Sequence, residues 1–284
     1  MDTPYIIIFA LLGFFVLLFF GYLFLMMPGA KRRGRMAEFK NYRYAHRGLH
    51  GGGVAENSRS AFVAAVDAGY GIELDVRLSS DGEIVVFHDD TLDRVTGQSG
   101  FVKDKTAKEL SEIKLLGTDD TIPTFREVLE LVGGRVPLLV ELKEDQGSYG
   151  VTEAAVKMLS EYEGPYIIES FNPLALARVK KLAPEVLRGV LSHHFTLDKK
   201  YRGFKYFLLQ NLCLNCACRP DFIAFNHEHR KMLSLRLARL FGAPTLAWTV
   251  ESERDDAEAL KCGFDGIIFQ YYAPDVKTEN KDQI

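Results

Sequence analysis

Two short apolar runs carry charged side chains at a spacing that suits ion binding. Glu73 and Asp75 are two positions apart in one run, and Glu141 and Lys143 repeat that spacing in another. In a β-strand, residues two apart lie on one face, so the two charged side chains of each run would point to the same side of the strand. Clustered carboxylates repel one another unless a cation lies among them, and ligands that are all oxygen suit Ca²⁺ or Mg²⁺ better than zinc. These residues therefore predict a site for one divalent cation.

Two histidines and two cationic side chains complete a possible reaction centre. His46 and Arg47 end a third apolar run, and His88 ends a fourth. A guanidinium binds phosphate as a fork and an ammonium binds it as a point charge, so Arg47 and Lys143 are candidate phosphate ligands. Two imidazoles on opposite sides of a phosphate can act as general base and general acid. The combination predicts metal-assisted cleavage of a phosphodiester. It leaves open which histidine is the base and whether water or a substrate hydroxyl attacks first.

Each of these residues also has a structural interpretation. A single inward Glu or Asp often forms an ion pair, Glu141 and Lys143 could neutralise each other, and a single His is usually a packed or surface residue. The combination of all these groups at one predicted site favours catalysis instead. The remaining histidines are interpreted as structural: His50, His193, His194, His227 and His229.

The elements that would position these side chains alternate along the chain. Short β-branched runs separated by longer amphipathic stretches are typical of parallel βα units. The predicted strands are Tyr42–His46, Gly71–Val76, Glu83–His88, Pro137–Leu142, Tyr166–Ser170, Leu187–Leu191, Asp221–Asn226, Thr245–Val250 and Gly266–Phe269. The predicted helices include Arg59–Ala68, Thr124–Val132, Thr152–Glu161, Pro173–Leu182, Lys231–Phe241 and Glu253–Lys261.

One of these nine strands is predicted to be a hairpin excursion. The second and third strands are too close for a helix between them, and Asp-Gly at 81–82 is a strong signal for a two-residue turn. A hairpin closed there pairs Ser80 with Glu83. Steps of two residues along both strands then place Val76 opposite Phe87 and, one residue further, Asp75 opposite His88.

The other eight strands predict an α/β fold, a (β/α)8 TIM barrel. They spread over about 240 residues, the usual size of this barrel, and its active-site groups gather at the C-terminal ends of the strands. A doubly wound open sheet is the alternative. It is disfavoured because no Gly-rich phosphate turn follows the first strand.

An apolar segment precedes the barrel. Residues 5–27 carry no charge, and only Gly13 and Gly21 fall outside the hydrophobic set. As a helix, at about 1.5 Å per residue, the segment would be roughly 34 Å long, slightly more than the hydrocarbon thickness of a bilayer. We expect an uncleaved, single-pass transmembrane helix. A cleaved signal peptide is the alternative, disfavoured because no Lys or Arg precedes the run and residues 27–31 make a poor cleavage site.

Charge distribution predicts the orientation of the chain and its partners. Basic residues at 31, 32, 33 and 35 follow the apolar segment, so residues 28–41 are expected to be a basic juxtamembrane linker, solvated or in contact with head groups. The positive-inside tendency places the catalytic domain, residues 42–284, in the cytoplasm. Residues 1–43 hold six basic and two acidic residues, so the rest of a chain of net charge −3 carries −7. With that charge and no basic–aromatic face expected, nucleic-acid binding is not predicted, and no protein partner is evident.

The motifs around these residues resemble those of the glycerophosphodiester phosphodiesterase family, over essentially all of residues 42–272. The similar motifs are His46-Arg-Gly48, Glu56-Asn-Ser58, Ala61-Phe62, Glu73-Leu-Asp-Val76, Asp81-Gly82, Val85-Val-Phe-His-Asp89, Leu92-Asp-Arg94, Thr96-Gly97, Glu141-Leu-Lys143, Glu169-Ser-Phe171, Ala247-Trp-Thr-Val250 and Gly263-Phe-Asp-Gly-Ile-Ile268. The resemblance implies a barrel that uses a divalent metal to hydrolyse glycerophosphodiesters to sn-glycerol 3-phosphate and an alcohol.

The resemblance also implies roles for individual residues. The family usually has Pro where this chain has Ala55, which could loosen that loop. Trp248 is interpreted as a wall of the substrate pocket or, equally, as a core residue. By similarity, the acid–base pair is His46 and His88, the metal ligands are Glu73, Asp75 and Glu141, and the phosphate ligands are Arg47 and Lys143.

Two alternative functions follow from the same residues. A lysophospholipase D would use this site on membrane lysophospholipids, and the apolar segment would hold the site close to these lipids. A membrane-tethered barrel that only binds its ligand is a third interpretation. It predicts a broken catalytic set, whereas this sequence has the complete one.

Overall fold

The core of the protein is a closed barrel of parallel strands, seen in a computed structural model that describes residues 3–40, 42–144 and 147–275. The strands are β1 (Arg43–Ala45), β2 (Gly71–Leu78), β3 (Ile84–Val86), β4 (Leu138–Leu142), β5 (Tyr166–Ser170), β6 (Arg188–Ser192), β7 (Phe222–Asn226), β8 (Thr245–Val250) and β9 (Gly266–Phe269). Eight of them pair in parallel around a ring that β1 closes by pairing with both β2 and β9, and β3 lies antiparallel on β2. The predicted (β/α)8 barrel and its nine strands are confirmed.

Helices precede the barrel and connect its strands. They are α1 (Thr3–Met26), α2 (Ala37–Lys40), α3 (Arg59–Ala68), α4 (Asp93–Thr96), α5 (Ala107–Ser111), α6 (Phe125–Val132), α7 (Gly150–Leu159), α8 (Pro173–Leu182), α9 (Phe204–Gln210), α10 (Asn215–Cys218), α11 (Leu233–Leu240) and α12 (Glu253–Lys261). Short 3₁₀ turns cover Arg33–Met36, Val102–Asp104, Phe195–Leu197 and His227–His229. All six predicted helices are present, with boundaries within two residues of those expected.

Local sequence explains where these helices begin and end. Ser58 caps α3 by accepting a hydrogen bond from the backbone N–H of Ala61, and Gly69, at φ 78°, ends the helix. Thr124 begins α6 with a capping box that Glu127 completes. Each cap pairs backbone groups that a helix end otherwise leaves without partners.

The predicted register of the hairpin is wrong by one residue. Val76 pairs with Val86, and the Ser79 N–H donates to the Glu83 carbonyl at 2.9 Å, so the loop holds three residues instead of two. Gly82 has φ 85°, the left-handed conformation that closes a three-residue hairpin loop. His88 still reaches the barrel mouth, because β3 ends at Val86 and the chain bends at His88.

The N-terminal end of the barrel is filled by apolar side chains. Tyr44 and Phe222 lie inside it, and Met36 and Phe39 close it from below. The Tyr44 hydroxyl donates to the Phe39 carbonyl at 3.0 Å. The apolar filling at this end leaves the polar inward positions to the opposite, C-terminal mouth.

Two basic side chains of residues 28–40 contact the base of the barrel. The Arg32 guanidinium makes two hydrogen bonds of 3.0 Å to the carboxylate of buried Asp221. Arg35 donates to the Glu185 carbonyl at 2.7 Å. The basic run that was expected to contact solvent or head groups therefore contributes at least these two side chains to the base of the barrel.

The apolar helix α1 projects from this body. Its residues Ile7–Met26 have a mean hydropathy of 2.7, so the helix is long and apolar enough to cross a membrane. Residues 7–21 are exposed, whereas Met26 at the end of the helix is buried. Its C-terminal end is fixed to the barrel. Asn215 donates to the Met26 carbonyl at 3.0 Å, and Arg219 donates to the carbonyls of Phe24 and Met27 at 2.9 Å.

We predict that Gly189→Ala destabilises the barrel. A Cβ at Gly189 would lie 2.1 Å from the ring of Phe222, its partner across β6 and β7. Overpacking of this kind costs about 1–3 kcal/mol in the free energy of unfolding, which thermal unfolding in detergent would measure. Gly34→Ala is the matched control, because a Cβ there meets no atom within 4 Å. Equal stability of the two variants would contradict this packing.

Candidate active site

Four carboxylates on neighbouring strands form a buried layer at the C-terminal mouth of the barrel. Asp75 on β2 is opposite Glu141 on β4, which is opposite Glu169 on β5. Glu73 lies two residues before Asp75, on the same face of β2. None of the four is more than 6% exposed. We call these four residues the carboxylate layer.

The electrostatics of the carboxylate layer depend on burial and mutual repulsion. Burial, followed by the charges of Asp75 and Glu141, raises the pKa of Glu73 well above its ordinary value. Burial and the nearby carboxylates raise the pKa of Glu169 in the same way. For Asp75 burial acts in the same direction, but the nearby charges, Lys143 first, outweigh it and lower the pKa. The layer therefore retains protons at some carboxyls and negative charge at others.

Two cationic side chains only partly neutralise this layer. Lys143 Nζ lies 3.0 Å from Asp75 Oδ1 and 2.7 Å from Glu141 Oε1. Arg47 Nε lies 3.6 Å from Asp75 Oδ2, and the same guanidinium is shared with Glu56. With Glu73 and Glu169 included, four carboxylates face two cations.

A divalent cation fits this imbalance. Glu73, Asp75 and Glu141 each offer a carboxylate oxygen, and these oxygens all lie within 4.8 Å of one another. Asp75 Oδ1 and Glu169 Oε2 are buried and accept no well-directed hydrogen bond from the part of the chain that the structure describes. Hard oxygen donors with excess negative charge suit Ca²⁺ or Mg²⁺. The three residues that the sequence singled out are thus brought together in a group that could hold an ion.

His46 is held in one tautomer at the edge of the layer. Its Nδ1 lies 2.7 Å from Gln270 Oε1, and Gln270 Nε2 donates to Glu251 at 2.6 Å, which fixes the orientation of the amide. Because Oε1 only accepts, Nδ1 carries the ring hydrogen and Nε2 carries the lone pair. This Nε2 lies 3.9 Å from Glu73 Oε2. Burial, followed by the charge of Arg47, lowers the pKa of His46 to about 3, so its imidazole is neutral near pH 7.

The hydrogen-bond partner of His88 is a carboxylate instead of an amide. Its Nδ1 lies 2.6 Å from Asp89 Oδ1. Burial tends to raise the pKa of Asp89, but hydrogen bonds with His88 and Arg94 lower it strongly, so the carboxylate is ionised. Arg77 fixes the backbone by donating to the His88 carbonyl at 2.9 and 2.7 Å. The Asp89 carboxylate can accept a hydrogen bond from Nδ1 and so orients the ring.

A chain of ion pairs connects Arg47 to Asp89. Arg47 Nη1 donates to Glu56 at 2.7 Å, and Arg94 donates to both oxygens of Glu56 at 2.6 and 2.8 Å. Arg94 Nε then donates to Asp89 Oδ2 at 2.6 Å. Burial tends to raise the pKa of Glu56, but the hydrogen bonds and charges of Arg94 and Arg47 lower it to about 2. We call this arrangement the ion-pair chain.

The turn after β1 brings Arg47 into position. Arg47 has φ 57° and Gly48 has φ 79°, so the chain reverses directly after His46. The Arg47 N–H donates to Glu73 at 2.8 Å. Asn57, also at positive φ, donates from its side chain to Asp75 at 2.8 Å. The loop that contains Ala55 thus contacts the carboxylate layer directly.

A cavity at the mouth brings the predicted residues together. One side of it is polar and the other is apolar, formed by Phe171, Leu191, Trp248 and Ile268. The ring of Trp248 meets that of Phe171 edge to face, with centroids 5.5 Å apart. On the polar side the cavity is lined by His46, Arg47, Glu73, His88, Glu141, Lys143 and Glu169.

Several residues of this site were not assigned a role from the sequence. Glu169 and Gln270 each follow an apolar run, and a single polar residue at the end of a barrel strand was the available signal. Asp89 is adjacent to a predicted catalytic histidine. Glu56 and Arg94 belong to motifs of the resemblance, but only the fold shows that they meet.

Comparisons with known proteins match this geometry. Residues 46–273 match the model of the glycerophosphoryl diester phosphodiesterase family. The chain is 34% identical to a glycerophosphodiester phosphodiesterase of Caldanaerobacter subterraneus subsp. tengcongensis, over 79% of this chain and 91% of that one. It is 39% identical to one of Bacillus altitudinis, over 80% and 94%. A phosphodiesterase structure from Oleispira antarctica, in complex with the product sn-glycerol-3-phosphate, superposes with a TM-score of 0.69 at 26% identity, over 82% and 94%.

We predict that divalent cations bind to the carboxylate layer with release of protons. Glu73 and Glu169 have raised pKa values, so they hold protons that a bound cation would displace. Calorimetric titration with Ca²⁺ or Mg²⁺ should give heats that depend on the ionisation enthalpy of the buffer, and the affinity should fall as the pH is lowered. Asp75→Asn should abolish binding and Asp67→Asn, at an exposed position, should preserve it. Binding without proton release would contradict this interpretation of the layer.

Proposed function

The chain belongs to the glycerophosphoryl diester phosphodiesterase family and is a phosphodiester hydrolase, and we propose that it cleaves glycerophosphodiesters to sn-glycerol 3-phosphate and an alcohol. One observation carries this proposal: two histidines, one hydrogen-bonded to an amide oxygen and one to a carboxylate, line the same cavity as the carboxylates Glu73 and Glu141. Base, acid, phosphate ligands and ion ligands are the groups that cleavage of a phosphodiester requires.

We propose that Glu73, Asp75 and Glu141 hold one divalent cation, Ca²⁺ or Mg²⁺. When bound, such an ion polarises a phosphoryl oxygen and offsets developing negative charge. Arg47 and Lys143 add fixed positive charge at the same wall of the cavity. Their partial neutralisation by Glu56 and Asp75 keeps them ionised and oriented before the substrate enters.

The two histidines take different roles in this proposal. His46 is neutral with its lone pair on Nε2, so it accepts the proton of the nucleophile, either water or a neighbouring glycerol hydroxyl. We assign the general acid to His88, whose Nδ1 is hydrogen-bonded to the Asp89 carboxylate and which would donate the proton that the leaving alkoxide needs. Gln270 and Asp89 act through the histidines as positioning residues. We therefore propose His46 as the base and His88 as the acid.

A lysophospholipid is a second candidate substrate. The apolar side of the cavity, with Phe171, Leu191 and Trp248, could accept the part of a substrate beyond the phosphate. Trp248 is proposed to contact that part. A barrel that only binds its ligand is not supported, because the acid–base and ion-binding groups are all present at the cavity.

We predict that His46→Ala and His88→Ala each lower kcat on glycerophosphocholine by about 10²–10⁴-fold, the usual loss on removal of a general acid or base. An assay that couples the release of glycerol 3-phosphate to a second enzyme would measure this. EDTA should abolish the activity of the unaltered protein, and Ca²⁺ or Mg²⁺ should restore it. His194→Ala is the control, since the His194 side chain does not line the cavity. Near-normal turnover by both alanine variants would refute the assignment.

We further propose that residues 5–27 are an uncleaved, single-pass membrane anchor and that the barrel faces the cytoplasm. The composition of α1 and the basic residues directly after it support this orientation. Because the C-terminal end of α1 is hydrogen-bonded to the barrel, such an anchor would hold the barrel next to the bilayer, with residues 28–40 connecting the two.

This orientation predicts protection of the barrel from external protease. Protease added to intact spheroplasts should leave the catalytic domain whole, and protease added after lysis should degrade it. Intact-mass measurement of the purified protein should include residues 1–27. Digestion from outside intact cells would show that the barrel faces the opposite side of the membrane. A mass lacking the N-terminal segment would identify α1 as a cleaved signal peptide.

A further inference from the structure

One segment near the barrel mouth is both basic and aromatic. Residues 197–207, in the connection from β6 to β7, contain four basic residues, one acidic residue and four aromatic residues. The remainder of the body is acidic, so this composition is local. We call it the basic–aromatic segment. Its presence corrects the sequence-based expectation that no such face exists.

The apolar side chains of this segment are directed to solvent. Phe204 is 72% exposed, Leu197 is 65% exposed and Phe207 is 50% exposed. Phe204 and Phe207 are three residues apart on α9, and their rings stack with centroids 6.0 Å apart. An exposed apolar patch of this kind marks a surface that contacts a partner or a membrane.

Two of the basic side chains lie over the tyrosine rings of the segment. Lys200 Nζ lies 5.6 Å from the centre of the Tyr201 ring, and Lys205 Nζ lies 4.9 Å from that of Tyr206. Across the described ranges, the basic side chains of residues 197–207 take part in none of the ion pairs, which lie elsewhere, as at Arg178 with Glu153. Exposed aromatic rings with unpaired lysines are typical of proteins that lie on an anionic lipid surface.

The same connection also holds the end of the apolar helix. Asn215 and Arg219, whose hydrogen bonds fix the last carbonyls of α1, follow the basic–aromatic segment. Asn215 is eight positions after Phe207 in the chain, so the two can be at most roughly 27 Å apart. The exposed rings and Asn215 at the end of α1 therefore belong to one connection and lie within this distance of each other.

Aromatic contacts connect this segment to the cavity. The ring of Trp248, at the cavity wall, lies 5.9 Å from that of His193, which lies 5.5 Å from that of Tyr201. Tyr201 in turn lies 5.1 Å from Tyr206 on α9. The basic–aromatic segment thus borders the mouth through which a substrate would enter.

We propose that residues 197–207 rest on an anionic bilayer surface and hold the barrel mouth there, so that a lysophospholipid enters the cavity head group first from the membrane. Phe204, Phe207 and Leu197 enter the interface, and the basic side chains contact anionic head groups. The choice of substrate rests on the proposed function, but the contact with lipid does not.

Hydrogen exchange of the full chain in nanodiscs tests the contact with lipid. The amides of residues 197–207 should exchange more slowly in nanodiscs of mixed phosphatidylglycerol and phosphatidylcholine than in detergent or in phosphatidylcholine alone. The segment around Leu240, which is 79% exposed on α11, is the internal reference and should not change.

Kinetics of variants test what the contact does. Phe204→Ser combined with Phe207→Ser, and separately Lys199→Glu with Lys200→Glu and Lys205→Glu, should lower kcat/KM on lysophosphatidylcholine in anionic nanodiscs about tenfold or more. Both should leave kcat/KM on soluble glycerophosphocholine unchanged, which also shows that the barrel is folded. Leu240→Ser is the matched control and should affect neither substrate.

The outcomes separate this proposal from the function itself. Slower exchange in anionic nanodiscs with no hydrolysis of either substrate would support the lipid contact and refute the proposed function. Equal exchange in all lipids would overturn the proposal. Protection in detergent that rises with protein concentration would assign the face to a second copy, and protection by single-stranded RNA alone would assign it to nucleic acid. Either of these results would also overturn it.

Discussion

Uncompensated negative charge inside the barrel mouth is the constraint on which the site depends. Four buried carboxylates share one layer with only Lys143 and Arg47 as counter-charges, and Arg47 is divided with Glu56. In this environment a carboxyl must take up a proton, pair with a cation or bind a metal ion. The raised pKa of Glu73 and the inward ion pairs of Lys143 are two of these solutions. A bound ion is the third, and the proposed hydrolysis would depend on it.

Much of the fold and the centre of the site could be predicted from the sequence, because the responsible signals are local. Alternation of short β-branched runs with amphipathic stretches fixes strand and helix positions to within about two residues. Spacing by two puts Glu73 and Asp75 on one face, and barrel topology brings Glu141 to the same mouth. In a closed ring of parallel strands, the C-terminal ends all lie at the same end of the barrel, so these side chains lie close together.

What the sequence did not predict depends on tertiary contacts. The hairpin register depends on Asp81, which is not at the positive φ that a two-residue type I′ turn requires and whose carboxylate accepts a hydrogen bond from the distant Ala107 N–H at 3.0 Å. Gln270 selects the tautomer of His46 only because β9 ends beside β1. Phe204 and Phe207 look like core residues in sequence, since an apolar side chain does not reveal whether its helix has a partner. The ion pair of Arg32 with Asp221 likewise joins residues far apart in the sequence, so the sequence does not reveal it.

The ion-pair chain makes the cost of losing one of its members depend on the others. Each inner member has two oppositely charged neighbours, as Glu56 has between Arg47 and Arg94. Loss of an inner member leaves two like charges facing each other at short range, and loss of an end leaves a partly buried charge without its partner. Removal of two oppositely charged neighbours together should therefore cost less free energy of unfolding than the sum of the two single losses.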